Sequence, residues 1–447
     1  MASCACTIVT MRLPSAKPDA YQPENNGCTV PTLEMLLTPD GQRLLEAARA
    51  HMADCQNEQP SIAQIERWRR EFSPELVHTA LVVARAANAA GGQRGKFPHT
   101  PPDLLFWAVP EALEQATSAA VADYKAQKLL SLLPATTTIF DICCGIGGDT
   151  LSLARYAPVE AWEINPQRAW MARRNVRRNG LFPVIVHQRD ILEADIPVLP
   201  HCAYHLDPAR RSGGRRLNVN SSMVPDPWRV IQRLNFCTGG MVKLSPAIDF
   251  STLPPGHLEI ISHERSVVQA VLWTRTAGES LGCNLRTATG ITRDGNIWSF
   301  SGSPGFPTTL HEPAECVYEL DGALTRSGLA ATFIIQTGLM PLTVDGGYAT
   351  GIAPSPHAAL AEFRVLTVIP YSPQRIVRWL KSQPPGAMTS APVVEVKTRG
   401  GLGLDTDRLQ REWSGAARES CTILIYSARG GQMAIVARRP TACGTSA

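Results

Sequence analysis

Carboxylates gather around one glycine-bearing stretch of this chain. The apolar run Thr138-Ile139-Phe140-Asp141-Ile142 ends on an acid, Cys143-Cys144-Gly145-Ile146-Gly147-Gly148-Asp149 follows, and Thr150-Leu151-Ser152-Leu153-Ala154 then repeats at helical spacing. That order predicts a strand, a tight loop and a helix. Glycines let the backbone turn sharply and lie close to a ligand, and a helix start offers unpaired N–H groups. After Gly145-Ile146-Gly147 the third glycine of a dinucleotide fingerprint is absent. Phosphate is a poor guest between Asp141 and Asp149, because like charges repel at short range in a partly buried site. A cationic guest suits the corner better.

Three further acids follow in order. Glu163 ends the apolar segment 159–162, where a carboxylate can accept hydrogen bonds from both hydroxyls of a ribose. Asn165 with Pro166 predicts a helix start, and Asn179-Gly180 its end. Asp190 comes after a strand at 184–187, and Asp207-Pro208-Ala209-Arg210-Arg211 opens from a strand at 203–206. The acid-x-x-x-Gly-x-Gly order with these sites resembles a class I S-adenosylmethionine-dependent methyltransferase. Its donor carries an ammonium and a sulfonium and no phosphate. The resemblance implies a Rossmann-like α/β core and a cofactor set of Asp141, Gly145, Gly147, Asp149, Glu163, Ile164, Asp190 and Ile191. It places Asp190 near the adenine amine and brings Thr117, with Ser118, towards the donor's carboxylate. It makes Asp207, the Pro208 carbonyl and Arg210 the catalytic loop, Asp207 and Pro208 accepting hydrogens from an exocyclic amine. The family's loop usually ends on an aromatic residue; Arg210 stands there instead, and a guanidinium can stack on a base or grip phosphate. Carbon methylation of uridine needs a cysteine after the fifth strand, where this chain has Leu244-Ser245-Pro246.

The elements that must hold these residues can be read on either side. A chain of 447 residues with 44% hydrophobic content suggests two or three domains. Residues 1–28 lack periodicity and read as a disordered tail. Residues 29–118 form a helical region, with Thr38-Pro39, Ser61 and Ser73-Pro74 as helix starts. Residues 119–276 make the methyltransferase core, including a fifth strand at 239–244 and closing antiparallel strands near 259–262 and 267–273. Asp294-Gly295 marks a hairpin within a connecting segment, 277–313. Residues 314–443 form a separate α+β module with a basic rim. Its Val393-Val394-Glu395-Val396-Lys397-Thr398-Arg399-Gly400 segment, with 113–118 and the Asp207 loop, resembles a bacterial methyltransferase family carrying a THUMP-like domain. That likeness implies an RNA substrate, with Arg210, Arg211, Arg215, Arg216, Lys397 and Arg399 as substrate-binding residues.

The formal charge of +4 does not by itself demand a nucleic-acid partner. Twelve cysteines without Cys-x-x-Cys pairs read as reduced thiols of a cytoplasmic protein. No apolar run reaches the ~20 residues of a membrane span. His201 and His205 lack a third ligand nearby, so no metal is expected. The function expected is methylation of a base in RNA. The alternatives are a small-molecule or protein methyltransferase, and a cofactor- and RNA-binding protein without turnover.

Overall fold

The computed structural model describes residues 26–440 except 55–59, 92–94, 99, 101–104, 135–136, 178–180, 200, 210, 213–214, 217–222, 283–284, 385–390, 400 and 429. Most of the expected tail, and Arg210, lie outside the described residues. Residues 26–28 belong to the fold and not to a tail: the Asn26 and Gln167 side-chain amides bond each other at 3.1 Å, and Cys28 is buried.

Helices α1 (Val30–Met35), α2 (Pro39–Asp54), α3 (Ile62–Arg69), α4 (Pro74–Ala90) and α5 (Pro110–Gln115) build the N-terminal region. Polar caps set their starts, Ser61 accepting from the Gln64 N–H and Ser73 from the Leu76 N–H. Leu76, Val77, Ala80, Val83, Ala84 and Ala87 of α4 recur at helical spacing on its buried face. Each larger member contributes roughly 1.5–3 kcal/mol by burial. That apolar core continues into Ile146 of the glycine turn and into Trp170 and Met171, so the helices rest on the α/β core.

The core runs α6 (Ala119–Ser131), β1 (Thr138–Ile142), α7 (Gly148–Leu153), β2 (Val159–Glu163), α8 (Pro166–Asn175), β3 (Val184–Gln188), β4 (Cys202–Leu206), the two-residue strands β5 (Arg211–Ser212) and β6 (Arg215–Arg216), α9 (Pro227–Arg233) and β7 (Gly239–Leu244). It continues through β8 (His257–His263), β9 (Ser266–Thr274), α10 (Arg275–Leu281), β10 (Arg286–Ile291) and β11 (Ile297–Gly302). Among the described residues these give a nine-stranded sheet ordered β11-β10-β8-β9-β7-β4-β1-β2-β3. Strand β1 lies parallel to both β2 and β4, and the chain reverses direction in the sheet there. A crevice at the carboxyl ends of strands beside such a switch point is where open α/β sheets take ligands.

The hairpin near Asp294-Gly295 is not a connector. Strand β10 pairs in parallel with β8, and β11 antiparallel with β10, so β8 and β9 do not close the sheet. The C-terminal elements are β12 (Cys316–Leu320), α11 (Gly322–Ser327), α12 (Ala330–Gln336), β13 (Met340–Pro341), β14 (Tyr348–Gly351), β15 (Leu360–Pro370), α13 (Pro373–Ser382), β16 (Val394–Thr398), α14 (Thr406–Ser414), β17 (Cys421–Ala428) and β18 (Gly431–Arg438). Their seven-stranded sheet runs β13-β14-β12-β15-β18-β17-β16 among the described residues. One apolar cluster joins Tyr318, Leu324 and Phe333 of this module to Leu258 and Trp298 of the larger sheet.

Candidate active site

The turn after β1 depends on backbone that only glycine adopts at ease. Gly145 has φ +57° and Gly147 φ +85°, both left-handed. Cys143 also takes φ +60°, strained for a residue with a Cβ. A Cβ at Gly145 would meet nothing within 4 Å, so the turn presents an open face there. Glu163, at the end of β2, accepts from the Gly145 N–H at 2.9 Å and from the Asn165 N–H at 2.8 Å. Burial raises its carboxyl above the ordinary value despite those bonds. Ile164 is exposed beside it, Ile191 is buried, and Asp190 accepts from the Leu192 N–H at 2.8 Å. Thus Gly145, Glu163, Ile164, Asp190 and Ile191 converge at one end of the sheet. Burial also pushes the Cys143 and Cys144 thiols well above their usual range, with the neighbouring acids adding to it.

Asp141, Asp149 and Thr117 are each held by neighbouring side chains. Asp141 is fully buried, and its carboxylate accepts from Thr150 Oγ1 at 2.5 Å and pairs with His205 Nδ1 at 2.8 Å. His205 Nε2 lies 3.3 Å from Lys125 Nζ, which in turn stands 2.8 Å from Asp149 Oδ1. Thr117 Oγ1 donates to Asp149 Oδ2 at 2.7 Å and accepts from Lys243 Nζ at 3.0 Å. Burial opposes charge on Asp149, yet Lys125, then His205 and Lys243, hold its carboxyl far below the usual range. Thr117 and Asp149 bond each other directly, and Asp141 joins them through His205 and Lys125. Ser118 stands at the N-cap position of α6 without a capping side-chain bond.

The chain of contacts ends at the mouth of the crevice. Lys243 Nζ lies 2.6 Å from Asp207 Oδ2, and the Asp207 side chain is 27% exposed. The Asp207 N–H donates to the Ile142 carbonyl at 3.1 Å, fixing the start of the loop against β1. Pro208 is buried, and Ala209 and Val224 exchange two backbone hydrogen bonds of 2.8 and 3.1 Å. Between them β5 and β6 pair Arg211 with Arg216 and Ser212 with Arg215, so three arginine positions share one small ribbon beside Asp207. On α8, Arg173 donates to the Val186 carbonyl and Arg174 lies over the Trp170 ring. Lys397 and Arg399 do not form an open basic rim. They pair with Glu319 at 2.9 and 3.4 Å, and each is only 25% exposed.

Lys125, His205 and Lys243 were missed as site residues by the sequence reading. The available signal was a charged residue inside an apolar pattern: Lys243 in Gly239-Gly240-Met241-Val242-Lys243-Leu244, and Lys125 among Val121, Ala122 and Leu129. Such a charge is buried only if it is paired.

A family model described as a domain of unknown function, DUF8688, matches residues 29–85, which span helices α1 to α3 and most of α4. An uncharacterised S-adenosylmethionine-dependent methyltransferase of Mycobacterium tuberculosis, found in two strains, is 28% identical over 384 residues, covering 81% of this chain and 95% of its own. A crystal structure of a candidate methyltransferase from Porphyromonas gingivalis W83 superposes with a TM-score of 0.63 at 18% identity, covering 90% of this chain and 99% of that one. That structure supports the fold. The residues also suit the donor, since an open glycine face ringed by Glu163, Asp190 and Asp207 matches a cationic group better than a phosphate. By homology with the mycobacterial protein the chain is an S-adenosylmethionine-dependent methyltransferase, with S-adenosylmethionine as its methyl donor.

Proposed function

We propose that the chain methylates the exocyclic amine of a base in RNA. The observation that carries this reading is the half-tethered carboxylate of Asp207. Lys243 holds Oδ2, Oδ1 has no partner among the described side chains, and the chain continues directly into Pro208. Gly145, Glu163 and Asp190 would hold the donor at the glycine turn, and its chemistry would be an electrophilic methyl group on a sulfonium that leaves as a neutral thioether. Asp207 Oδ1 and the Pro208 carbonyl accept hydrogens from the amine and aim its lone pair along the line of displacement. The amine proton lost on transfer passes to Asp207 or to water. Holding the two reactants in line supplies a large part of the barrier reduction.

Three features support a nucleic-acid acceptor. Arg211, Arg215 and Arg216 occupy the ribbon next to Asp207, where phosphate contacts would position a strand. Arg210, in the place of the family's usual aromatic residue, is suited to stack on the base. The C-terminal module, whose Lys397-Thr398-Arg399 segment resembles the THUMP-like family, extends the surface available to a folded RNA. Within that module Lys397 and Arg399 are held in ion pairs with Glu319.

The test is transfer from labelled donor to RNA extracted from cells that lack the gene, followed by nucleoside mass spectrometry. An N-methylated base, with RNA affinity that weakens steeply as salt rises, is the expected result. Label appearing only in protein or small molecules, with no salt-sensitive RNA binding, overturns the RNA assignment. Donor binding without transfer to any acceptor overturns catalysis itself.

A further inference from the structure

We propose that Lys243 is the positioning residue of the transfer, fixing one oxygen of Asp207 so that the other meets the acceptor in a single orientation. This deepens the reading of Asp207 given above and rests on it. Strand β7 is buried along its whole length, and Lys243 is its one charged side chain, 8% exposed. An ammonium there is tolerated only with close partners. Three surround it: Asp207 Oδ2 at 2.6 Å, Thr117 Oγ1 at 3.0 Å and the Gln115 carbonyl at 3.5 Å. Lysine has three N–H donors, so its directions are used up and its place is set from two segments, the end of α5 and the Asp207 loop. Thr117 is braced in turn by Asp149, and Asp149 by Lys125, which rests on His205, itself paired with Asp141.

A carboxylate free at both oxygens swings about its terminal torsion, which is broad. Tethered at Oδ2, Asp207 offers Oδ1 in one direction. Groups that touch a reacting molecule work at full rate only when packing and hydrogen bonds behind them lock their rotamers. Lys243 therefore acts through Asp207. Its positive charge beside a cationic donor gives no advantage in donor binding, and this separates the positioning role from a donor-binding one.

The experiment compares wild type with Lys243→Met, Lys243→Arg and Thr117→Val. Transfer to the RNA above is measured by kcat and by KM for donor, and donor affinity by calorimetry. Expected for Lys243→Met is a fall in kcat of about 100-fold, with donor affinity unchanged or slightly tighter. Lys243→Arg should recover at least about a tenth of the lost rate, because it restores a cation on Oδ2. Thr117→Val keeps the charge and nearly the same shape, and should cost roughly tenfold in kcat. A kcat within about threefold of wild type in a folded Lys243→Met protein overturns the proposal. So does a rise in KM for donor that accounts for the whole loss. Should Lys243→Met not fold, Thr117→Val alone decides, and an unchanged kcat there is equally fatal. Should wild type transfer nothing to RNA, the RNA assignment falls separately. The brace is then read from melting temperatures of Lys243→Met, Asp207→Asn and the double variant. Additive shifts overturn it, and a double variant closer to wild type than the sum of the singles upholds it.

Discussion

Helix α6 feeds two buried charge clusters, and only one of them reaches open space. On one side Glu259 of β8 is fully buried and takes hydrogens from Tyr124 at 2.5 Å, Lys128 at 2.8 Å, Trp273 Nε1 at 2.8 Å and Thr289 at 2.5 Å. Burial alone would raise its carboxyl, but Lys128 and the surrounding hydroxyls bring it below the ordinary value. Every lone-pair direction is used, so the cluster is closed and holds α6 to the sheet. On the other side Lys125, on the same helix, opens a path through Asp149, Thr117 and Lys243 that stops at the partly exposed Asp207. The ingredients match: a buried carboxylate, a lysine and a threonine hydroxyl. The difference is the free end. A saturated buried acid secures a fold, while a chain of them with one oxygen left over can carry its rigidity to a reacting group.

The strongest way to break this contrast is at the free end. Asp207→Ala should lower methyl transfer by about 1,000-fold, equivalent to about 4 kcal/mol of transition-state stabilisation. Donor affinity measured by calorimetry should stay within about threefold. Equal losses of both would make Asp207 a structural residue like Glu259. At the closed end, Glu259→Gln should destabilise the protein by about 3 kcal/mol in urea unfolding, because it leaves Lys128 buried without its counter-charge. The transfer rate of the folded fraction should not change, and a slower folded enzyme would erase the distinction between the clusters.

A smaller effect is expected at the turn itself. Gly145→Ala imposes left-handed backbone on a residue with a Cβ, at a cost of about 1 kcal/mol. Since the new methyl meets only open space on the donor face, donor affinity should drop at least about tenfold while urea stability falls little. Full affinity in this variant would move the donor away from the turn.

The smallest effect concerns Lys96, whose Nζ caps the carbonyls of Leu113, Glu114 and Ala116 beside the open cluster. Burial, and then the charge of Lys243, push its ammonium down from 10.5 to about 8. Between these values the unfolded chain carries a proton that the folded chain has shed. Stability therefore rises with pH through that window, and the penalty is felt in full below it. A Lys96→Arg variant stays charged and should lack the rise. Melting curves between about pH 7.5 and about 9.5 should separate the two proteins by roughly 1–3 °C, and parallel curves would show that Lys96 is not depressed.

What could be read from the chain, and what could not, follows from sequence distance. The strand-turn-helix around Gly145, the acid at Glu163 and the Asn165 cap are local patterns, and each stands as expected. The mixed α+β character of the C-terminal residues is likewise as expected. The brace was not visible, because Lys125 meets His205 across 80 residues and Lys243 meets Thr117 across 126. Sequence likewise carries no sign that Asp141 would pair with His205, or Thr117 with Asp149 and Lys243. The hairpin at Asp294-Gly295 was evident as a hairpin. That β10 would lie parallel to β8 was not, since that pairing passes over the intervening strand β9 and helix α10.

Asn175 adds one more consequence. Its side chain accepts from the Trp107 N–H at 2.8 Å and donates to the Trp107 and Ile146 carbonyls at 2.9 Å. A single amide thus stitches the approach to α5, the end of α8 and the interior of the glycine turn. Slow amide exchange should therefore be shared between these segments, opening as one cooperative unit instead of three. Donor bound at the turn would then protect amides of the helical region that it never touches, and loosening those helices would release the donor.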